Sequence, residues 1–155
     1  MAAATVTAFS QIQAGRQAVK TAQYNAELYE IDAVNAENET FVVEQKKNLE
    51  LSRFRQNIKS ITGDTKVGYA ASGVDISQGT PMDALEDIYQ NAKIDEGLIQ
   101  YNANIEKTNL ENQAGQSRFK GAAEIQKGKF AKYGSRLKAG ATLLGAASDA
   151  GMIGN

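Results

Sequence analysis

Residues 69–81 read YAASGVDISQGTP, and they separate two long segments without an interior proline. Glycines and small polar residues crowd together here, which predicts a glycine-rich loop over residues 72–80. Within this loop, Gly73 and Gly79 are able to adopt a positive φ at no steric cost. The chain is therefore expected to turn back once, between two helices.

The second helix has the clearest start in the sequence. Thr80 precedes Pro81, and Asp83 lies three residues after Thr80. This order is typical of an N-cap, a proline at the first helical position and an acidic first turn. Apolar residues then recur at helical steps, which predicts a helix over residues 81–138. These residues are Met82, Leu85, Ile88, Tyr89, Ala92, Ile99, Ala103, Leu110, Ala114 and Ile125.

The segment before the loop has the same character. Between residues 4 and 61 it contains no proline and only one glycine, Gly15. Its apolar residues also recur at helical steps, and we predict a first helix over residues 4–71. Two helices of such length are typical of coiled coils and bundles. The stripe in the first helix consists of Val6, Phe9, Ile12, Val19, Tyr24, Leu28, Ile31, Val42, Leu49, Phe54, Ile58 and Ile61.

The composition indicates a thin core. Only 42% of the residues are hydrophobic, much of that fraction is alanine, and Trp, His and Cys are absent. Close-packed helices built on small residues fit such a composition best. The sequence therefore predicts an all-α fold, in which two long helices joined by the glycine-rich loop form a helical hairpin that packs in an oligomeric assembly.

The charges indicate how the two helices align. If the chain turns back near its midpoint, positions whose numbers sum to about 150 should face each other in an antiparallel pair. Residues 51–66 hold four basic residues and one acid, a net charge of +3, and they would face residues 83–96, with five acids and one lysine, a net charge of −4. Residues 118–138 hold seven basic residues and one acid, a net charge of +6, and would face the mixed residues 12–32.

This basic excess suggests contact with another subunit, nucleic acid or lipid headgroups, unless it only solvates the helix. An acidic stretch, residues 27–50, holds seven acids against Lys46 and Lys47. It is suited to receive the basic stretch of a neighbouring copy, which favours a staggered oligomer. The candidate membrane or partner contacts are Arg118, Lys120, Lys127, Lys129, Lys132, Arg136, Lys138, Leu143 and Leu144.

Residues 139–155 form a weakly apolar tail that is rich in small residues. Such a tail suits either close helix packing or docking on an anionic membrane behind the basic stretch. It does not reach the roughly 18 consecutive apolar residues of a membrane span.

The sequence nominates no catalytic, cofactor-binding or metal-binding residue. Without His or Cys, no general acid and base, thiol nucleophile or zinc site stands out. Residues 75–86 match part of a calcium loop, but Thr80 occupies the position that requires glycine, so no calcium is assigned. Residues 63–68 lack the residue order of a phosphate-binding loop. We therefore expect a protein that is not an enzyme.

The loop and its flanks resemble the centre of the smaller internal virion proteins, or ejection proteins, of short-tailed phages. In that family a YAASGVD…GSP signature separates two long helices rich in Ala, Gln and Asn, and residues 95–106 and 112–114 also look similar. Here a threonine replaces the commoner serine before the proline. The motif is carried by Tyr69, Ala70, Ser72, Gly73, Val74, Asp75, Gly79, Thr80 and Pro81.

The resemblance implies a protein packaged inside the capsid near the portal, ejected with the genome and reassembled in the host envelope as part of a DNA conduit. It implies further copies of the chain, other internal virion proteins and the portal as partners. Contact with the host membrane and non-specific contact with phage DNA are left open. The residues also leave open a membrane-active, pore-forming hairpin, a nucleic-acid binder that uses residues 118–138, and another virion scaffold or adaptor protein.

Overall fold

The computed structural model describes residues 2–149 and Gly151, and within them the chain forms two helices and no strand. Helix α1 runs Ala2–Ala71 and helix α2 runs Thr80–Asp149. The predicted all-α class and the helical hairpin are therefore confirmed. Ala150 and residues 152–155, which belong to the predicted tail, lie outside the described residues.

Helix α2 is longer than predicted. Its expected end at Lys138 is wrong, because the helix continues through Asp149. Ala139, the first residue of the predicted tail, is buried, and the hydroxyl of Thr142 lies within 3.4 Å of the side-chain amide of Gln11 on α1. Packing against α1 therefore outweighs the helix-weakening effect of the glycines beyond residue 138.

Helix α1 ends in a Schellman motif. The N–H of Gly73 donates to the carbonyl oxygen of Ala70 at 3.1 Å, and the N–H of Val74 donates to that of Tyr69 at 3.2 Å. These two bonds satisfy carbonyls that the end of a helix leaves without a partner. Gly73 makes the motif possible because its φ is +75°, so its predicted positive φ is confirmed.

We expect Gly73→Ala to lower the free energy of unfolding by about 1 kcal/mol, because a Cβ makes the left-handed conformation costly. Gly68→Ala is the matched control, since Gly68 lies inside α1 with nothing within 4 Å of an added Cβ. Alanine at residue 68 should raise stability by up to about 1 kcal/mol. Thermal unfolding of the two variants, followed by circular dichroism in dilute solution, should therefore shift in opposite directions. Equal shifts would show that the cap has no role.

Asp75 organises the residues between the helices. Its carboxylate accepts hydrogen bonds from the hydroxyl and the backbone N–H of Ser77, at 2.7 and 2.9 Å, and from the side chain of Gln78 at 3.2 Å. The Ser77 hydroxyl is the main cause that holds the pKa of Asp75 below its ordinary value. The charged carboxylate thus fixes this turn at neutral pH.

Helix α2 begins one residue earlier than predicted. The carbonyl of Gly79 accepts hydrogen bonds from the N–H groups of Met82 and Asp83, at 3.0 and 3.1 Å. Gly79, with φ of +68°, is therefore the N-cap, and Thr80 is the first helical residue. Sequence favoured Thr80 as the cap because its hydroxyl suits that position, but the positive φ available to Gly79 places the start one residue upstream.

The hairpin consists of two compact units. The terminal unit comprises the residues up to 35 and from 113 onward, and the central unit comprises residues 36–112. Within the terminal unit Arg118 contacts Glu30 at 3.2 Å, and their numbers sum to 148. Within the central unit Arg55 contacts Glu96 at 2.7 Å, and their numbers sum to 151. The predicted antiparallel alignment is therefore confirmed within each unit.

The central unit packs with an eleven-residue period. Residues 36, 47, 58 and 69 of α1 are all buried or half-buried, and so are residues 81, 92 and 103 of α2. A period of eleven favours helices that are straight or coil slightly to the right. The contact face contains large apolar side chains, including Val43, Leu51, Phe54, Ile58, Leu85, Ile88, Ile99 and Leu110.

The terminal unit packs with a seven-residue period instead, which favours a left-handed coil. Residues 8, 15, 22 and 29 of α1 and residues 114, 121, 128 and 135 of α2 are buried or half-buried. Most of these positions hold a small residue, and we call this contact face the seam. Its small residues are Ala8, Gly15, Ala22, Ala114, Gly121, Gly128 and Ser135.

The apolar stripes read from the sequence therefore do not form one buried face on each helix. In the central unit most of their members are buried or half-buried, although Val42, Leu49, Ile61, Met82 and Tyr89 are exposed. In the terminal unit Ile12, Val19 and Ala114 face the seam, whereas the other members point to solvent because the repeat of small residues occupies most of the contact face. The exposed members in this unit are Val6, Phe9, Tyr24, Leu28, Ile31 and Ile125.

Candidate interaction surface

At its glycines, the seam of the terminal unit has no room for a larger side chain. A Cβ added to Gly128 would lie 2.5 Å from the Cβ of Ala22 and 3.3 Å from the carbonyl oxygen of Ala18. A Cβ at Gly121 would lie 3.3 Å from the carbonyl oxygen of Ala26. Because the two backbones approach this closely at these glycines, a large apolar side chain cannot occupy those positions.

The large apolar side chains of α2 lie on the face opposite the seam. Phe130 follows Gly128 by two residues, which places it about 200° further around the helix. Phe119, Phe130 and Leu137 are 76%, 73% and 76% exposed. The full set recurs at steps of three, four, seven and eleven residues, all close to whole helical turns, so its members line up on one face of the helix. We call this line the outer stripe: Phe119, Phe130, Tyr133, Leu137 and Leu144.

Basic residues border the outer stripe on both sides. Lys129 and Arg136 each precede a stripe residue by one position, which places them about 100° to one side of it. Lys120 and Lys138 each follow a stripe residue by one position and lie on the other side. All four side chains are exposed, so the stripe carries a positive border along its length.

The remaining predicted contact residues have other environments. Arg118 forms an ion pair with Glu30 across the seam, and Lys127 forms one with Glu124 on its own helix at 2.6 Å. The hydrogen bond from Lys127 is the main cause that lowers the pKa of Glu124, and it raises the pKa of Lys127. Of the other members, Lys132 is half-buried beside the seam, and Leu143 and Leu144 are exposed.

Helix α1 presents a second apolar face in the terminal unit, again away from the seam. Tyr24, Leu28 and Ile31 are exposed and follow one another at steps of four and three residues. Glu27 and Asp32 lie on either side of this line, each next to one of its members. Residues 24–35 hold three acids and no basic residue. Glu30 pairs with Arg118 across the seam, so Glu27 and Asp32 give this acidic outer face a charge of −2.

The residues of the loop motif lie in the central unit, where they shape the turn and cap both helices. Pro81 is buried and Tyr69 is half-buried. The other motif residues, Ala70, Ser72, Gly73, Val74, Asp75, Gly79 and Thr80, are exposed.

The prediction from sequence omitted the most exposed residues of the outer stripe. It included Leu144 but not Phe119, Phe130, Tyr133 or Leu137. Phe130 and Leu137, with Leu144, form a second seven-residue repeat, offset by two positions from the repeat of small residues that contains Gly121 and Gly128, and Phe119 and Tyr133 lie on the same face of the helix.

Neither α1 nor α2, over the residues described, contains an 18-residue segment that is apolar enough to cross a membrane. In the same part of the chain, no three Asp or Glu side chains are grouped so that they could hold a metal ion.

The fold and this surface define a class of structure: a two-helix hairpin that closes, in its terminal unit, on small residues and exposes apolar lines on both helices. Comparison of the chain with protein families, with curated proteins and with solved structures finds no match. Its function is therefore argued from its own residues.

Proposed function

We propose that this chain is a structural, self-assembling protein of a short-tailed phage, carried inside the capsid near the portal and released with the genome to help form a DNA conduit in the host envelope. The observation that carries the proposal is the placement of side chains by size. Small residues fill the seam of the terminal unit, while Phe119, Phe130 and Leu137 face solvent.

Leaving these side chains in water is unfavourable. Burial of one Phe or Leu side chain contributes about 1.5–3 kcal/mol relative to exposure. Single exposed apolar residues are common on soluble proteins, but several large ones on one helix face are typical of an interaction surface. Lateral packing of several hairpins would bury these lines and complete the core that one copy lacks.

The virion part of the proposal rests on the resemblance of residues 69–81 and on the two long helices that the phage family shares. Under this proposal the role is not enzymatic, and the partners are further copies of the chain, other internal virion proteins and the portal. The charged borders of the apolar lines would set the register between neighbours.

Sedimentation equilibrium of the full chain tests self-assembly. We expect the mass to rise with concentration from that of one 16.6 kDa chain to a multiple of it. A single-chain mass at every concentration would contradict the proposal. The neighbouring genes test the virion role: we expect genes for a portal, a capsid protein and other internal virion proteins nearby, and their absence would remove that role while leaving self-assembly intact.

A second candidate function is membrane activity, which the basic borders of the outer stripe favour. Helices with an apolar line between lysines and arginines bind anionic lipid surfaces. Release of a trapped dye from anionic vesicles, at protein concentrations where the chain sediments as a single copy, would favour this candidate over assembly.

A further inference from the structure

We infer that the basic-bordered outer stripe of α2 binds the acidic outer face of α1 in a second copy of this chain. This inference rests on the proposed self-assembly and names the two surfaces that would carry it. Both surfaces belong to the terminal unit, and both lie on helix faces that the hairpin itself leaves uncovered.

The apolar residues of the two surfaces have the same repeat. On α1, Tyr24, Leu28 and Ile31 are separated by four and then three residues, whereas Phe130, Tyr133 and Leu137 on α2 are separated by three and then four. In an antiparallel pair the second helix runs the other way, so its spacing of three and then four lies beside a spacing of four and then three on the first. The apolar side chains of the two helices can therefore interdigitate. Lateral packing of α2 against the α1 of a similarly oriented neighbour gives that antiparallel arrangement.

The charges beside the apolar residues are opposite. Lys129 and Lys138 border the outer stripe on its two sides, and Glu27 and Asp32 border the acidic outer face on its two sides. All four side chains are exposed. The charged pair that crosses the seam in this unit, Arg118 with Glu30, leaves these four residues available to a neighbour. Opposite potentials of this kind accelerate association and disfavour incorrect registers.

The placement of the surfaces also determines the type of assembly. Each lies opposite the seam of its own helix, so the two surfaces point away from each other within the terminal unit. A contact between two different surfaces is head-to-tail, and repetition of it produces either a closed ring or an open filament. A ring of hairpins is the form that a conduit requires.

The test uses two charge-reversed variants of the full chain. The first, Lys129→Glu with Lys138→Glu, places an acid on each side of the outer stripe. The second, Glu27→Lys with Asp32→Lys, makes the border of the acidic outer face basic. The matched control, Arg53→Glu with Lys66→Glu, has the same charge change as the first variant but alters exposed residues of the central unit.

In sedimentation equilibrium at about 0.1 M salt, each charge-reversed variant alone should associate at least about tenfold more weakly than the unchanged chain, because like charges then face each other. An equimolar mixture of the two should recover association, because every contact between unlike copies again joins opposite charges. The matched control should associate like the unchanged chain. Circular dichroism should show unchanged helix content in all variants.

Three results would overturn the inference. If both variants associate as tightly as the unchanged chain, other surfaces form the contact, although self-assembly stands. If the mixture fails to recover association, the two surfaces do not bind each other. If the unchanged chain never associates, the proposed self-assembly fails as well. In the first of these cases, binding of the unchanged chain to anionic vesicles would assign the outer stripe to lipid instead.

Discussion

Gly128→Leu is expected to open the seam of the terminal unit and to lower the free energy of unfolding by about 3 kcal/mol, the upper end of the usual cost of overpacking. Even a single added carbon at this position would lie 2.5 Å from the Cβ of Ala22, which is fixed on the backbone of α1 and cannot rotate away. For a chain of this length the midpoint of thermal unfolding should fall by roughly 10 °C. Circular dichroism in dilute solution measures it.

Gly115→Leu is the matched control for this prediction. It makes the same substitution in the same helix and the same unit, but nothing lies within 4 Å of a Cβ added to Gly115. Leucine has a higher helix propensity than glycine, so this variant should be as stable as the unchanged chain or more stable. If both variants melt at the same temperature, the seam is looser than described and the helices need not close on small residues.

Phe130→Gln combined with Leu137→Gln should weaken self-association at least about a hundredfold, because burial of two such side chains contributes about 3 kcal/mol or more. The same variant should keep its helix content and its thermal midpoint in dilute solution, since neither residue faces α1. Glutamine retains good helix propensity, which keeps the two effects separate. Sedimentation equilibrium and circular dichroism on the same sample measure both.

The control for the outer stripe is Val67→Gln combined with Val74→Gln. Both valines are exposed, and both lie in the central unit, outside the outer stripe. Their replacement should leave association within about threefold of the unchanged chain, as is usual for changes outside an interface core. Equal weakening by both double variants would mean that association is unspecific apolar adhesion rather than contact through the outer stripe.

The features that sequence predicted well are those determined by local chemistry. Gly73 and Gly79 adopt positive φ because glycine, without a Cβ, does so at no steric cost, and the turn between the helices follows from them. The antiparallel alignment followed from chain length and charge, and the pair formed by Arg55 and Glu96 fits it. These signals depend on one or two residues each.

The features that sequence predicted poorly depend on how closely the two helices approach. A search for large apolar residues assigned Tyr24, Leu28 and Ile31 to the same stripe as Phe54 and Ile58, although the first three are exposed and the last two are half-buried. Periodicity alone does not state which of two repeats faces the partner helix. In the terminal unit the repeat of small residues takes that position, because it permits the closer contact.

The same effect explains the end of α2 and the missing stripe residues. The apolar repeat predicted an end at Lys138, but burial of Ala139 against α1 extends the helix despite Gly140 and Gly145. Phe119, Phe130 and Leu137 became a recognisable set only once the face occupied by Gly121 and Gly128 was known.

The central claim is that small residues close the hairpin and that neighbouring copies cover its large apolar residues. Because the chain contains no cysteine, single-cysteine labelling tests this claim directly. Ala22→Cys places a thiol in the seam, and Ala123→Cys places one on the exposed face that carries the outer stripe. In dilute solution Ala123→Cys should label rapidly and Ala22→Cys slowly, and on concentration the labelling of Ala123→Cys should slow severalfold. The account would be contradicted if Ala123→Cys labelled at the same rate at all concentrations. It would also be contradicted if, in dilute solution, Ala22→Cys labelled as fast as Ala123→Cys.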